Sequence, residues 1–149
     1  MKSHYRVVVI GGGVVGASVI YHLSKFGWKD ICLLERSVLS AGSSWHAAGG
    51  IHALNADPNM SALQAYTIDL LPQVEKESGE NIGLHMTGGL TMAGTPERWE
   101  WLQSAYRVYQ SIGIEDCRLV TPEEASKLNP IMSTEGLLGG MWADREAYL

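Results

Sequence analysis

The stretch that decides the fold is RVVVIGGGVVGASVIYHLSKFGWKDICLLE, residues 6–35. It begins with RVVVI, residues 6–10, a β-branched run without polar alternation that predicts a strand buried on both faces of a parallel sheet. A glycine-rich turn and a helical pattern follow, and the helix is expected to end at Gly27. The second apolar run, DICLLE at residues 30–35, completes a strand–helix–strand unit. These residues therefore predict an α/β fold of the Rossmann-like type.

The turn itself carries the pattern G-x-G-x-x-G at Gly11, Gly13 and Gly16. In a dinucleotide site the first glycine permits the tight turn, the second lets the backbone approach the pyrophosphate, and the third allows close helix–strand packing. The helix N-terminus stabilises the pyrophosphate through its free N–H groups and its dipole. Glu35 ends the second strand, where it can accept hydrogen bonds from ribose hydroxyls and disfavours NADP. The pattern predicts a dinucleotide, but NAD and FAD share the same ADP half.

The segment SSWHAAGG, residues 43–50, places a tryptophan and a histidine among small residues just after the second strand. In an FAD enzyme the chain here runs along the pyrophosphate towards the flavin, and small residues allow that close approach. Ser43 and Ser44 offer hydroxyl donors, and Trp45 can pack beside His46. The imidazole of His46 is a suitable nucleophile for the electrophilic 8-methyl carbon of a flavin. The alternative from chemistry alone is a solvated or hydrogen-bonded loop histidine.

Residues 6–50 closely resemble the start of the dimethylglycine and sarcosine dehydrogenase family, most specifically in GSSWHAAG. The resemblance continues through LQAYTIDL and VTPEEASKLNP and extends over essentially the whole chain. It implies a flavoprotein of the D-amino-acid-oxidase-like fold whose motif histidine, here His46, is bonded to the flavin 8α-methyl group. Family members more often have threonine at the position of Ser44 and leucine or a similar residue at that of Gly50. The predicted cofactor-binding residues are Gly11, Gly13, Val14, Val15, Gly16, Glu35, Arg36, Gly42, Ser43, Ser44, Trp45, His46, Ala47, Ala48, Gly49 and Gly50.

The resemblance also implies an activity. A hydride would pass from the N-methyl group of a small amine, such as dimethylglycine or sarcosine, to covalently bound FAD. The resulting iminium would be hydrolysed to formaldehyde or captured by tetrahydrofolate, and the electron acceptor would be an electron-transfer flavoprotein or oxygen. The catalytic residues are not identified, because in the family they lie largely later in the chain, so this segment alone is expected to be inactive. An NAD-dependent dehydrogenase and a non-catalytic FAD-binding module remain the alternatives.

The pattern beyond residue 36 predicts two portions. Residues 1–80 are expected to form the FAD- or dinucleotide-binding portion, and residues 81–149 to begin a β-rich substrate domain. No further Val/Ile-rich buried strand follows residue 36, whereas a doubly wound sheet needs a third parallel strand. We therefore expect an incomplete fold, the beginning of a longer protein.

Local signals place the remaining elements. They predict a helix at residues 61–79 that Pro72 kinks or breaks, followed by a β-hairpin at residues 83–94 that turns at Gly88 and Gly89. A helix is then predicted between Thr95 and Gly113, and a strand at residues 117–120. The last predicted elements are a helix with a Thr121/Glu124 capping box and a strand at residues 136–143.

Composition excludes several classes of function. The net charge is −5 and no basic cluster is present, which argues against nucleic-acid binding. No signal segment or membrane span is evident, so a cytoplasmic protein is expected. Cys32 and Cys117 lack metal-ligand spacing, and no metal site is predicted. Non-catalytic roles are favoured for the other histidines, namely His4, His22, His52 and His85. The apolar face of the third predicted helix is expected to pack in the core, and it comprises Trp99, Leu102, Tyr106 and Tyr109.

Overall fold

The structure is a computed structural model that describes residues 2–149. The chain divides into two compact units, with the division between Ala48 and Gly49. The boundary predicted from the sequence lies after residue 80. The helix at Pro58–Ser78 falls in the predicted first portion but belongs to the second unit. The assignment of cofactor binding and substrate binding to separate domains stays a prediction.

The first unit is the predicted strand–helix–strand unit. Its elements are β1 (Val7–Ile10), α1 (Val14–Lys25) and β2 (Ile31–Leu34). The two strands are parallel, with Val7 opposite Ile31 and Ile10 opposite Leu34. Helix α1 gives way to Gly27, whose φ of 79° lies in the left-handed region that glycine adopts without strain. The sequence-based prediction of an α/β unit is confirmed.

The second unit contains two antiparallel sheets and three helices among its described residues. One sheet has the strand order β3-β8-β4 and the other the order β5-β7-β6. The elements are β3 (Gly50–Ile51), α2 (Pro58–Ser78), β4 (His85–Met86), β5 (Gly89–Ala93), α3 (Pro96–Ser111), β6 (Cys117–Val120), α4 (Pro122–Leu128), β7 (Gly139–Ala143) and β8 (Ala147–Tyr148).

Side-chain caps set where these three helices begin. Asp57 accepts a hydrogen bond from the Met60 N–H at the start of α2, and Thr95 caps α3 in the same way. Thr121 and Glu124 form the predicted capping box at α4. Such caps satisfy N–H groups that have no acceptor inside the helix. Pro72 lies inside α2 without ending it, so of the two predicted effects, a kink or a break, the break is absent.

The predicted hairpin at residues 83–94 is wrong. β4 pairs with β8, and β5 pairs with β7, so the two neighbouring strands do not pair with each other. Gly88 has the expected positive φ of 71°, but its N–H donates to the backbone carbonyl of Glu146. The glycine pair therefore redirects the chain from one sheet to the other instead of folding it back on itself.

The core of the second unit lies between α3 and the β5-β7-β6 sheet. Leu102, Tyr109 and Met141 are its largest fully buried side chains, while Trp99 and Tyr106 pack against it. The predicted packing face of α3 is confirmed. No helix within residues 2–149 is long and apolar enough to cross a membrane.

Candidate functional site

The glycine turn between β1 and α1 is held by the backbone. Gly11 has a φ of 104°, and its N–H donates to the carbonyl of Leu34 at 2.8 Å. A Cβ atom on Gly16 would lie 1.9 Å from the Gly11 carbonyl oxygen, a distance that no side chain tolerates. Both glycines are therefore required by the turn geometry.

The N-terminus of α1 differs from those of the other helices. Its cap residue, Gly13, has no side chain to occupy the N–H groups, and its first turn contains no acidic residue. The N–H groups of Val15 and Gly16 lie in the turn where a helix supplies no internal acceptor. The positive end of the helix is thus open to an anion.

Residues 36–48 form a loop that is hydrogen-bonded to this turn. Ser40 donates its N–H to the Gly12 carbonyl at 2.9 Å, and Ser44 Oγ accepts the N–H of Val14 at 2.9 Å. Because the Ser44 hydroxyl accepts this bond, its own hydrogen remains available for a further acceptor. The contact brings a residue predicted from the sequence to the start of α1.

Glu35 lies beside the same turn. Its Oε2 atom accepts the Gly12 N–H at 2.7 Å, and its Oε1 atom accepts the Ser37 N–H at 2.9 Å. The bond from Gly12, followed by that from Ser37, holds the pKa of the Glu35 carboxyl below its usual value. Each carboxylate oxygen can accept more than one hydrogen bond, so Glu35 can still accept hydrogen bonds from ribose hydroxyls.

Gly12 is a site residue that the sequence reasoning treated as a spacer. It is buried, and a Cβ atom there would lie 2.7 Å from the Leu39 side chain and 3.1 Å from the Glu35 side chain. The signal that could have found it is the middle glycine of GGG, because the fingerprint requires only the first and the last.

His46 has a defined ring orientation. Its Nδ1 atom lies 2.9 Å from the carbonyl oxygen of Gly42. A carbonyl oxygen only accepts, so Nδ1 carries the hydrogen and the Nε2 of the neutral ring keeps its lone pair. The side chain is exposed, as is that of the neighbouring Trp45. The imidazole can therefore act as a nucleophile through Nε2.

The first unit brings most of the predicted site residues to one turn and one loop. Val14 and Val15 are exposed at the start of α1, and the other loop residues are exposed as well, namely Arg36, Gly42, Ser43, Ala47 and Ala48. Gly49 and Gly50 belong to the second unit, where Gly50 pairs with Tyr148 in β3 and β8. An open helix N-terminus beside a glycine turn and a carboxylate fits the pyrophosphate and ribose of a dinucleotide.

Two of the remaining histidines, His85 and His22, contact residues outside the candidate site. His85 stacks on Tyr148, with ring centroids 4.9 Å apart, and His22 bonds to the Ser18 carbonyl within α1. Within residues 2–149 no three metal-binding side chains come together.

Comparison with known proteins places this geometry in context. A family model described as FAD dependent oxidoreductase matches residues 6–149. Rat mitochondrial dimethylglycine dehydrogenase is 33% identical over 99% of this chain, which corresponds to 17% of the rat protein. The formaldehyde-forming 4-methylaminobutanoate oxidase of Paenarthrobacter nicotinovorans is 35% identical over 100% of this chain and 18% of its own length. The mouse mitochondrial pyruvate dehydrogenase phosphatase regulatory subunit is 34% identical over 100% of this chain and 17% of its length.

A solved structure shares the fold. The glycine oxidase of Geobacillus kaustophilus aligns over 97% of this chain and 40% of its own, with a TM-score of 0.79 and 27% identity. The chain therefore spans less than a fifth of the curated relatives described above and two fifths of this structural relative.

Proposed function

The chain belongs to the FAD dependent oxidoreductase family, and from that premise we propose that it forms the cofactor-binding part of an enzyme that oxidises N-methyl groups of small amino acids. The resemblance to dimethylglycine and sarcosine dehydrogenases, stated from the motifs, is confirmed by the similarity of the relatives over the whole chain. The α/β flavoprotein fold is confirmed as well.

The observation that carries the proposal is the open N-terminus of α1 beside the Glu35 carboxylate. The N–H groups of Val15 and Gly16, with the Ser44 hydroxyl, would hold the pyrophosphate of FAD. Glu35 would accept the ribose hydroxyls while its bond to Gly12 keeps the carboxyl ionised and oriented. These roles extend the sequence-based predictions for this site.

We assign the covalent link to Nε2 of His46. The Gly42 carbonyl holds the hydrogen on Nδ1, so the other ring nitrogen is the nucleophile for the flavin 8α carbon. When bound, FAD would supply the hydride acceptor for the amine, and Nε2 of His46 would hold it through a bond to the 8α carbon. The exposure of His46 leaves the ring accessible to this reaction.

The substrate class rests on what the relatives are named for. Two of them are named for dimethylglycine and 4-methylaminobutanoate, both amino acids with N-methyl groups. Formaldehyde as a product, tetrahydrofolate as its acceptor, the electron acceptor and a cytoplasmic location stay predictions. Since the chain spans less than a fifth of these relatives, the residues that bind the amine are assigned to the rest of the protein.

A second candidate is a non-catalytic FAD-binding module. The specific observation that favours it is the 34% identity to a phosphatase regulatory subunit, a protein named for regulation and not for catalysis. In that case the cofactor would stabilise the fold, and N-methyl amines would leave it oxidised. The alternative of an NAD-dependent dehydrogenase has no support from the relatives described here.

One experiment tests the flavin link. The protein is produced at its natural length, denatured in acid and detergent, and the protein band is inspected for flavin fluorescence. We expect a fluorescent band for the wild type and for His52→Ala, a matched histidine variant, and a dark band for His46→Ala with FAD recovered in solution. Fluorescence that persists in His46→Ala would assign the link to another residue.

A second experiment separates the enzyme from the binding module. Dimethylglycine, sarcosine and 4-methylaminobutanoate are added to the wild-type protein without oxygen, and the flavin absorbance is followed. Bleaching by at least one of them is expected of the enzyme. Stable absorbance with all three, in protein that retains its flavin, would favour the module.

A further inference from the structure

A small cavity lies in the second unit, and none of its lining residues belongs to the predicted cofactor-binding set. It offers about 20 Å³ to the centre of a water molecule. Its lining contains apolar residues such as Ile68 of α2 and Ala143 of β7, and the polar residues Tyr109, Asp116, Arg145 and Glu146. A single water requires about 10–15 Å³ measured in this way. The cavity is therefore large enough for one water and too small for an organic ligand.

The hydroxyl of Tyr109 is one of two buried polar side-chain atoms without a protein partner among residues 2–149. The side chain is 1% exposed and lies on the core face of α3. A buried hydroxyl that makes no hydrogen bond costs about 1–3 kcal/mol. Because proteins seldom leave such a group unpaired, the hydroxyl requires a partner that the chain itself does not supply.

Glu146 also lines the cavity and supplies a complementary group. It immediately precedes β8, and its side chain packs so closely over Gly89 that a Cβ atom there would lie 1.6 Å from Oε2. Burial raises the pKa of the Glu146 carboxyl, while the charge of His52 acts in the opposite direction. Burial and then the charge of Glu146 raise the pKa of the Tyr109 hydroxyl, and Cys117 and Asp116 act in the same direction.

We propose that one internal water occupies this cavity and bridges the Tyr109 hydroxyl to the Glu146 carboxyl. The water accepts from or donates to the hydroxyl and donates to a carboxyl oxygen, so both groups are satisfied without direct contact. It joins α3 to the connection between β7 and β8. The neighbouring Arg145, which also lines the cavity, forms ion pairs with Asp69 and Asp116.

Replacement of the hydroxyl tests the proposal through the sign of its effect. With the water in place, Tyr109→Phe removes a satisfied hydrogen bond, and the midpoint of thermal unfolding of the full-length protein should fall. If the hydroxyl is unpaired, the same variant removes a cost, and the midpoint should rise or stay unchanged. Either of those results would overturn the proposal.

Tyr106→Phe is the matched control, because Tyr106 lies on the same helix but does not line the cavity. Its midpoint should stay within experimental error of the wild type.

A crystal structure of the full-length protein at about 1.5 Å resolution provides a second readout that does not depend on the variants folding. We expect one density peak within about 3.2 Å of both Tyr109 Oη and a Glu146 carboxyl oxygen. A cavity without density, or a direct bond between Tyr109 and a protein group, would overturn the proposal.

Discussion

The two units of the chain are stabilised in different ways. Every hydrophobic residue that is fully buried within residues 2–149 lies in the second unit. In the first unit the buried residues are glycines, Gly12 and Gly16, while Ile10 is 86% exposed and Phe26 is 75% exposed. The second unit is organised by side-chain packing, whereas the first is organised by close backbone contacts around a turn.

This difference teaches where substitutions should have their effect. In a packed core the volume of a side chain determines stability. In the glycine turn the addition of a single carbon determines whether the backbone can adopt its conformation at all. The helix N-termini differ in a corresponding way: α2, α3 and α4 are capped by the side chains of their own N-cap residues, whereas Gly13 cannot cap α1 and the Val14 N–H bonds instead to Ser44 in the loop.

The largest expected effect is the loss of a core side chain. Leu102 is 1% exposed, so Leu102→Ala should lower the free energy of unfolding by about 2–5 kcal/mol. The corresponding change in the first unit, Ile10→Ala, should alter it by less than about 0.5 kcal/mol. Denaturant unfolding measures both. Equal losses would show that Ile10 is buried in the full-length protein, and the contrast between the units would then disappear.

The next effect concerns the turn. Gly16→Ala places a Cβ atom against the Gly11 carbonyl, and overpacking of this kind costs about 1–3 kcal/mol, so FAD affinity should fall about 5- to 150-fold. Gly94→Ala is the control, because a Cβ atom there meets nothing closer than 3.9 Å. Titration of the apoprotein with FAD measures both variants. Unchanged affinity in Gly16→Ala would contradict the assignment of this turn to the cofactor.

A smaller effect should follow from removal of a cap. Thr121 accepts the Glu124 N–H at 3.2 Å, and Thr121→Ala should lower the free energy of unfolding by about 0.5–2 kcal/mol. Flavin content should stay unchanged, because α4 belongs to the second unit. A loss of flavin in this variant would show that the two units are coupled.

The smallest effect is a difference in pH dependence between two carboxyls. Glu35 has a lowered pKa because Gly12 donates to it, so its contribution to stability is present above the ordinary pKa and is lost as the pH falls through the lowered value. Glu146 has a raised pKa because it is buried, so its contribution is present below the ordinary value of 4.5 and is lost as the pH rises through the raised value.

Two glutamine variants separate these contributions. Relative to the wild-type apoprotein, Glu146→Gln should gain stability as the pH rises from about 4 to about 7, and Glu35→Gln should lose stability over the same interval. Thermal unfolding midpoints across that interval provide the measurement. Parallel curves for both variants and the wild type would contradict both pKa directions.

The sequence predicted the parts whose interactions are local. The β1–α1–β2 unit, the Thr95 cap and the Thr121/Glu124 capping box all depend on residues close in the chain. The hairpin failed because alternation and a glycine pair describe a strand and a turn but do not specify the partner strand. β5 instead pairs with β7, about fifty residues later.

The candidate site shows the same limit. The glycine fingerprint and Glu35 followed from spacing, but the bond from Gly12 to Glu35 and the bond from Val14 to Ser44 join residues 23 and 30 positions apart. Nothing in the pattern indicates that Ser44 reaches the start of α1. The loop has to fold back across the turn before that contact exists.

The strand order of the second unit has a consequence for synthesis on the ribosome. The middle strand of each of its sheets, β7 in one and β8 in the other, is the last of the three to be made. Until residues 139–148 have emerged, β5 and β6 have no common neighbour, and β3 and β4 likewise remain apart. The first unit can form its parallel pair as soon as residue 34 emerges. Nascent chains arrested before residue 139 should therefore be cleaved by a protease within residues 49–138, where neither sheet has formed.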